Sequence, residues 1–235
     1  MMGSRNAQAI EDLITTSHDT QHEKIIRAIS MALSLIMYGS EEAANTLIEQ
    51  LSREKDPILR YGAMYTIGMA YAGTGNNEAF RKLIKFSVSD ANDDVRRAAL
   101  INIGFLQIRN PELLLESIKV LSLLSESYNP HVRYGVAMAL GISCCGTGIT
   151  NAYNILQPLY NDNNYYVRQG AILASGLIYS QVNPAADNKV TQVREEIDKT
   201  INDKDEHVLV KFGALMAKGF LEVGGRNGLI SLVSR

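Results

Sequence analysis

Tryptophan is absent from this sequence, and its 235 residues include only two cysteines and five prolines. The cysteines are neighbours, Cys144 and Cys145. Adjacent residues of a helix cannot form an ordinary disulfide, so no disulfide framework holds the fold. There is no Asn-x-Ser/Thr acceptor site and no signal-peptide pattern, which sets the expectation of an intracellular protein. Charge of one sign is lacking as well. Against 25 acidic residues stand 23 basic ones, spread along the chain without a basic stripe, and this argues against a nucleic-acid partner. The longest uncharged run lies between Arg133 and Asp162 and invites comparison with a membrane span, which needs about 20 apolar residues. Gly146-Thr147-Gly148 breaks that run, and Asn151, Asn154, Gln157 and Pro158 polarise its second half, so no membrane contact is expected. No segment alternates with period two over a useful length, and no sheet is predicted.

What remains is helical and repetitive. An apolar content of 46% is enough to bury a substantial core. The uncharged run predicts two helices in a hairpin: a turn at Asn129-Pro130, a first helix from Tyr134 to Cys145, and a second from Ile149 to Tyr160. Gly146 and Gly148 end the first helix in left-handed conformations. The same pattern recurs as Ile58-Leu59-Arg60-Tyr61-Gly62-Ala63, Asp94-Val95-Arg96-Arg97-Ala98-Ala99, and His131-Val132-Arg133-Tyr134-Gly135-Val136. It returns in Tyr166-Val167-Arg168-Gln169-Gly170-Ala171 and Leu209-Val210-Lys211-Phe212-Gly213-Ala214. Six residues past each small position stands Gly68, Gly104, Gly141, Gly176 or Gly219. A degenerate first copy fits Ile26 to Ser34, with Ala28 and Ser34 in the two small positions. Six units at such a period predict an all-α solenoid of helical-hairpin, HEAT-like repeats. Residues 1–19 read as an N-terminal segment and helix, and 20–235 as a single repeat array. The array ends at Arg235 as another second helix gets under way, as expected of a piece of something longer.

The residue types have physical reasons. Small pairs four apart, such as Gly135/Ala139 and Gly170/Ala174, share a helix face and let another helix approach closely. The later glycine lies about 240° further round. Each first helix is therefore crowded on two sides, in an inner layer, although Ala98 and Asn102 weaken the pattern in one unit. The second helices carry an ordinary apolar stripe, for example Ala44, Leu47, Ile48 and Leu51. Glu41, Glu49, Arg81, Lys82 and Lys119 on their other faces suit a solvated outer layer. Asp56-Pro57, Asp90 to Asp94, Asn129-Pro130, Asp162 to Asn164 and Asn202 to Asp205 supply caps between units. The recurring Arg or Lys falls in the first turn of its helix, where the dipole disfavours a cation. Pairing with the acidic turn of a neighbouring unit is the expected compensation.

Chemistry is sparse. Gly73-Thr74-Gly75 and Gly146-Thr147-Gly148 follow no strand, lack Gly-Lys-Ser/Thr, and read as helix ends rather than phosphate loops. His18 and His22 have the spacing of a metal pair but no third ligand. His131 reads as a helix-start residue, and the two cysteines as small apolar residues buried near a helix end. Tyr61, Tyr65, Tyr71, Tyr134, Tyr165 and Tyr166 fall at repeat positions and read as packing residues. No nucleophile elbow appears. No catalytic, cofactor-binding or metal-binding residue is assigned, no cofactor is expected, and the partner-binding surface stays open.

The run Ser125 to Ile142, with Asn129-Pro130-His131-Val132-Arg133-Tyr134-Gly135 at its centre, resembles the proteasome/cyclosome repeat family. Asp56-Pro57-Ile58-Leu59-Arg60, Asn92 to Ala99, Tyr166 to Ala171 and Lys211-Phe212-Gly213-Ala214 agree, and the resemblance runs from about His22 to the end. It is closer to the proteasome members than to the cyclosome scaffold. The resemblance implies a non-enzymatic scaffold of the proteasome regulatory particle, present in cytoplasm and nucleus and serving ubiquitin-dependent degradation. Its implied partners are the base ATPases, the lid and ubiquitin receptors. In that family the repeats close into a toroid of two concentric helix layers. Six units make only an open arc of it, with end faces exposed for self-association. The family's rod-like N-terminal region and receptor-bearing tail have no counterpart here, so receptor binding is not carried over. A cyclosome scaffold, another HEAT-like adaptor, or an enzyme on a helical-repeat frame are the competing readings.

Overall fold

The structure, a computed structural model, describes residues 2–108, 111–183 and 188–223. Pro184 and the second helix expected after Val223 lie outside the described residues. Among the described residues there are twelve α-helices and no strand. Their contacts group the chain into two compact units, Met1–Leu113 and Leu114–Arg235.

The first unit holds α1 (Ala7–Asp19), α2 (Glu23–Ile36), α3 (Asn45–Ser52, entered through a 3-10 turn at Glu41–Ala44), α4 (Pro57–Ala70), α5 (Asn77–Ser89) and α6 (Asp93–Leu106). α7 (Pro111–Ser125) follows. The second unit contains α8 (Pro130–Ser143), α9 (Thr150–Leu156), α10 (Tyr165–Ile178), α11 (Lys189–Asn202) and α12 (Val208–Leu221). Capping chemistry fixes the starts. The side chains of Asp56, Asn76, Asn92 and Asn129 accept backbone N–H groups of α4, α5, α6 and α8. Pro57 and Pro130 occupy first helical positions, where a missing N–H costs nothing. The second helix expected from Ile149 to Tyr160 is not one α-helix. α9 stops at Leu156 and a 3-10 turn covers Gln157–Asn161, because Pro158 cannot donate the hydrogen bond that would continue it.

In each unit the first helices stack on one another, α2 on α4 on α6, and α8 on α10 on α12. The two-sided crowding predicted for them is realised at the glycines. A methyl group on Gly141 would meet the Cα and Cβ of Ala174 at 2.8 Å, and one on Gly176 would meet those of Ala217 at 2.7 Å. On the opposite side Gly170 lies against the Tyr134 ring and Gly213 against Gln169. In the first unit Gly62 lies against Ser30 and Gly68 makes room for Asn102. Asn102, a departure from the small-residue pattern, is fully buried and donates to the carbonyl of Ala98 at 2.8 Å.

The hairpin pairing differs from the sequence reading. The second helix of a hairpin packs chiefly on the first helix that follows it: α3 on α4, α5 on α6, α11 on α12, and the 3-10 turn after α9 on α10. The turns that hold this arrangement are described below. The core between layers is filled by Leu33, Met64, Ile67, Leu83, Leu100 and Ile103 in the first unit. Leu140, Leu156, Ile178 and Tyr179 fill it in the second.

Candidate functional site

The side chains that recur from unit to unit form the best-built polar constellation of the molecule. Arg60 Nε and Nη2 donate to both carboxylate oxygens of Asp90, at 2.9 and 3.2 Å. Arg133 does the same to Asp162, at 2.6 and 2.9 Å, and Arg168 Nη2 reaches Glu206 at 2.7 Å. Each carboxylate belongs to the turn ahead of the next first helix, as the sequence reading expected. Each arginine also holds the turn before its own helix: Arg60 donates to the carbonyls of Glu54 and Lys55, and Arg133 to those of Ser127 and Tyr128. Asp162 is thus gripped twice, its carboxylate by Arg133 and its carbonyl by Arg168 at 2.7 Å. Asp90 is gripped in the same way by Arg60 and Arg96. These pairs are largely out of water, with Asp90 and Asp162 only 5% and 8% exposed. Burial by itself would raise both carboxyls. The arginine hydrogen bonds and the backbone N–H groups of Asn92 and Asn164 outweigh it and hold both below the ordinary range. Glu206 is lowered in the same way, against its own burial, by Arg168 and by the His207 N–H.

A second recurring device went unseen in the sequence. Gly73, Gly75, Gly146 and Gly148 all have φ between 64° and 71°, as helix-ending glycines should. Their N–H groups cap the C-terminus of the following first helix. Gly73 and Gly75 donate to Phe105 and Leu106 of α6, and Gly146 and Gly148 to Leu177 and Ile178 of α10, all at 2.9–3.1 Å. Carbonyls that a helix end leaves without partners are thereby satisfied across units. The opening residues copy the device: Gly3 and Arg5, at φ 69° and 54°, donate to Leu35 and Ile36 of α2.

The residues weighed for chemistry are dispersed. Cys144 is buried beside Ser143, and burial pushes its thiol up to about 11. Cys145, expected to be buried with it, is exposed and lies 3.7 Å from the Ser180 hydroxyl, because it belongs to the turn after α8. His18 faces Glu54 at 3.8 Å, while His22 stands at the N-terminus of α2, so the two do not converge. His131 stacks on Tyr166 at 5.3 Å between ring centres, and Tyr71 is buried and donates to Asn45. A 330 Å³ hollow in the first unit is lined by Glu23, Arg27, Tyr61 and Asp94. Arg27 there already pairs with Glu23 and Asp94 and lies over the Tyr61 ring, so the charges are spent on one another. Among the described residues no group of three metal-ligating side chains comes together. No helix among them is long and apolar enough to cross a membrane.

Stacked helical hairpins joined by repeated arginine clamps define an α-solenoid repeat protein, and the profile of the HEAT repeats family matches residues 80–176. Along its whole length the chain is similar to proteins named 26S proteasome non-ATPase regulatory subunit 1 or, in fungi, regulatory subunit rpn2. It is 48% identical over 235 residues to "26S proteasome non-ATPase regulatory subunit 1 homolog B" of Arabidopsis thaliana, covering 100% of this chain and 23% of the relative. It is 50% identical over 236 residues to the Drosophila melanogaster subunit, with 100% and 23% covered. Against the regulatory subunit rpn2 of Schizosaccharomyces pombe it is 42% identical over 232 residues, with 99% and 24% covered. The chain spans about a quarter of the length of these curated relatives.

Proposed function

We propose that this chain is a stretch of the non-enzymatic scaffold of the proteasome regulatory particle, acting in ubiquitin-dependent degradation in the cytoplasm and nucleus. The observation that carries this reading is the alignment over 99–100% of the chain, at 40–50% identity, with relatives named proteasome regulatory subunits. The arginine clamps support it. Within each unit they are spent on joining repeat to repeat, which suits a frame on which ATPases, lid subunits and ubiquitin receptors are positioned. The test is native affinity purification of the tagged, full-length parent protein from its own cells, followed by mass spectrometry. Near-stoichiometric ATPases and lid subunits are expected. Recovery of cyclosome subunits, or of no large complex, overturns the proposal.

A further inference from the structure

We propose that the groove between α1 and α3 is a docking site for a basic amphipathic helix of a partner protein. The groove lies within the first unit and has a volume of 380 Å³. Ile10 and Ile14 of α1 form one wall, and Ala43 and Leu47, before and within α3, form the other. Met37 lines it between the two. Its lining includes no residue of α2 itself, whose far side is where the stack of first helices begins.

One side chain accounts for the opening. In two other repeats the residue that follows the first helix is a tyrosine that reaches the outer helix before it. After α4 this is Tyr71, which is buried and donates its hydroxyl to Asn45 of α3. After α10 it is Tyr179, whose ring meets that of Tyr153 in α9 edge-on, 5.5 Å between centres. After α2 the same position belongs to Met37, which has neither ring nor hydroxyl. The space that a tyrosine fills in those repeats is left open here.

Charge decides the occupant. α1, the 3-10 turn and α3 carry Glu11, Asp12, Asp19, Glu41, Glu42 and Glu49, all exposed, and not one lysine or arginine. Glu11 stands on the lip of the groove itself, and Glu42 and Glu49 adjoin its lining residues Ala43 and Gln50 in the chain. Arg53, just beyond α3, offsets only Glu49, at 3.7 Å. Other outer helices mix their signs: α5 sets Arg81, Lys82 and Lys85 beside Glu78, and α11 sets Lys189, Arg194 and Lys199 among its acids. An apolar floor between acidic lips suits leucine-type side chains three and four residues apart with lysine or arginine flanking them. The occupant is a helix because the groove offers no sheet edge, and an extended strand would leave its backbone groups without partners. From Ala7 to Thr15 the α1 wall runs for about 12 Å, the length of two turns of such a helix.

Fluorescence anisotropy on this chain tests the proposal with a labelled amphipathic peptide of leucine and lysine, about 14 residues long. The same peptide with glutamate in place of lysine is the comparison. The lysine peptide is expected to bind, more weakly as salt rises, and about 10-fold or more tighter than the glutamate peptide. Met37→Tyr, which places the tyrosine of the other repeats in the groove, is expected to abolish binding. Glu11→Lys is expected to weaken it about 3- to 10-fold, whereas Glu195→Lys, the same charge change on α11, leaves it as in the parent. Circular dichroism melts check folding, and Glu11→Lys, being exposed, decides the matter if Met37→Tyr does not fold. A parent that binds the lysine peptide no better than the glutamate one overturns the proposal. So does a Glu195→Lys loss as large as that of Glu11→Lys, which assigns the binding to charge at large rather than to this groove. Neither outcome bears on the regulatory-particle reading, which stands or falls on the purification.

Discussion

Gly176 and Gly219 occupy the same position in successive first helices, α10 and α12, and the same substitution should act on them with opposite sign, because a methyl group on Gly219 would have nothing within 4 Å. A helix-interior glycine costs roughly 1 kcal/mol relative to alanine, so alanine is favoured wherever there is space. At Gly176 there is none, since the new methyl group would meet the Ala217 backbone at 2.7 Å, and backbone cannot swing aside as a flexible side chain can. Overpacking of about 1–3 kcal/mol or more then outweighs the propensity gain. Gly176→Ala is expected to lower the unfolding free energy by up to about 2 kcal/mol, the difference between those two effects, read as a lower denaturant midpoint. Gly219→Ala is expected to raise stability by up to about 1 kcal/mol. Equal and opposite melts of the two variants, in the reverse order, would show that Gly219 and not Gly176 is the crowded position.

Among elements, the clamp between first helices should be costly to open from one side. Arg133→Gln leaves Asp162 buried without its bidentate partner, and breaking a buried pair in this way costs on the order of 3 kcal/mol. A double-mutant cycle with Asp162→Asn, read by urea melts, should show a coupling energy above 1 kcal/mol, roughly the threshold separating buried from exposed pairs. In the turn, Gly148→Ala forces an L-residue into a left-handed backbone and loosens the cap on α10. A loss of about 1–2 kcal/mol is expected, with faster amide exchange at the C-terminus of α10. How far these devices could be read in advance differs. The pairing of Arg60, Arg133 and Arg168 with the next acidic turn was legible because a cation in a first helical turn is a local anomaly that demands a partner. The caps from Gly73 and Gly146 were not legible. Glycine after a helix is fully explained by ending that helix, and nothing in the sequence marks a carbonyl some thirty residues away as its second client. For the same reason the hairpin pairing of α9 was assigned to the helix before it, and Cys145 was placed inside with its neighbour.

For the whole molecule, the clamps make stability depend on acid. Asp90, Asp162 and Glu206 are all held below their ordinary values of 3.8, 3.8 and 4.5. A carboxyl lowered in the folded state contributes its stability in full above the unfolded value and loses it as the pH falls through the folded one. Unfolding free energy should therefore stay level down to about pH 5 and decline below about pH 4, more shallowly in Asp162→Asn than in the parent. Titrating the urea midpoint from neutral to acid checks this, and a parent whose acid decline matches that of Asp162→Asn would remove the clamp as its cause. The glycine caps carry a different consequence. They point one way only: residues 73–75 close α6 and residues 146–148 close α10, so each of these two helices finds its end-piece in chain already made. A ribosome delivers the chain in that same order, and emerging segments fold from the N-terminal side as they are released. α6 and α10 then each leave the exit tunnel toward a template that is waiting for them, and within its unit each repeat is laid down on the one before, like a crystal advancing from one face.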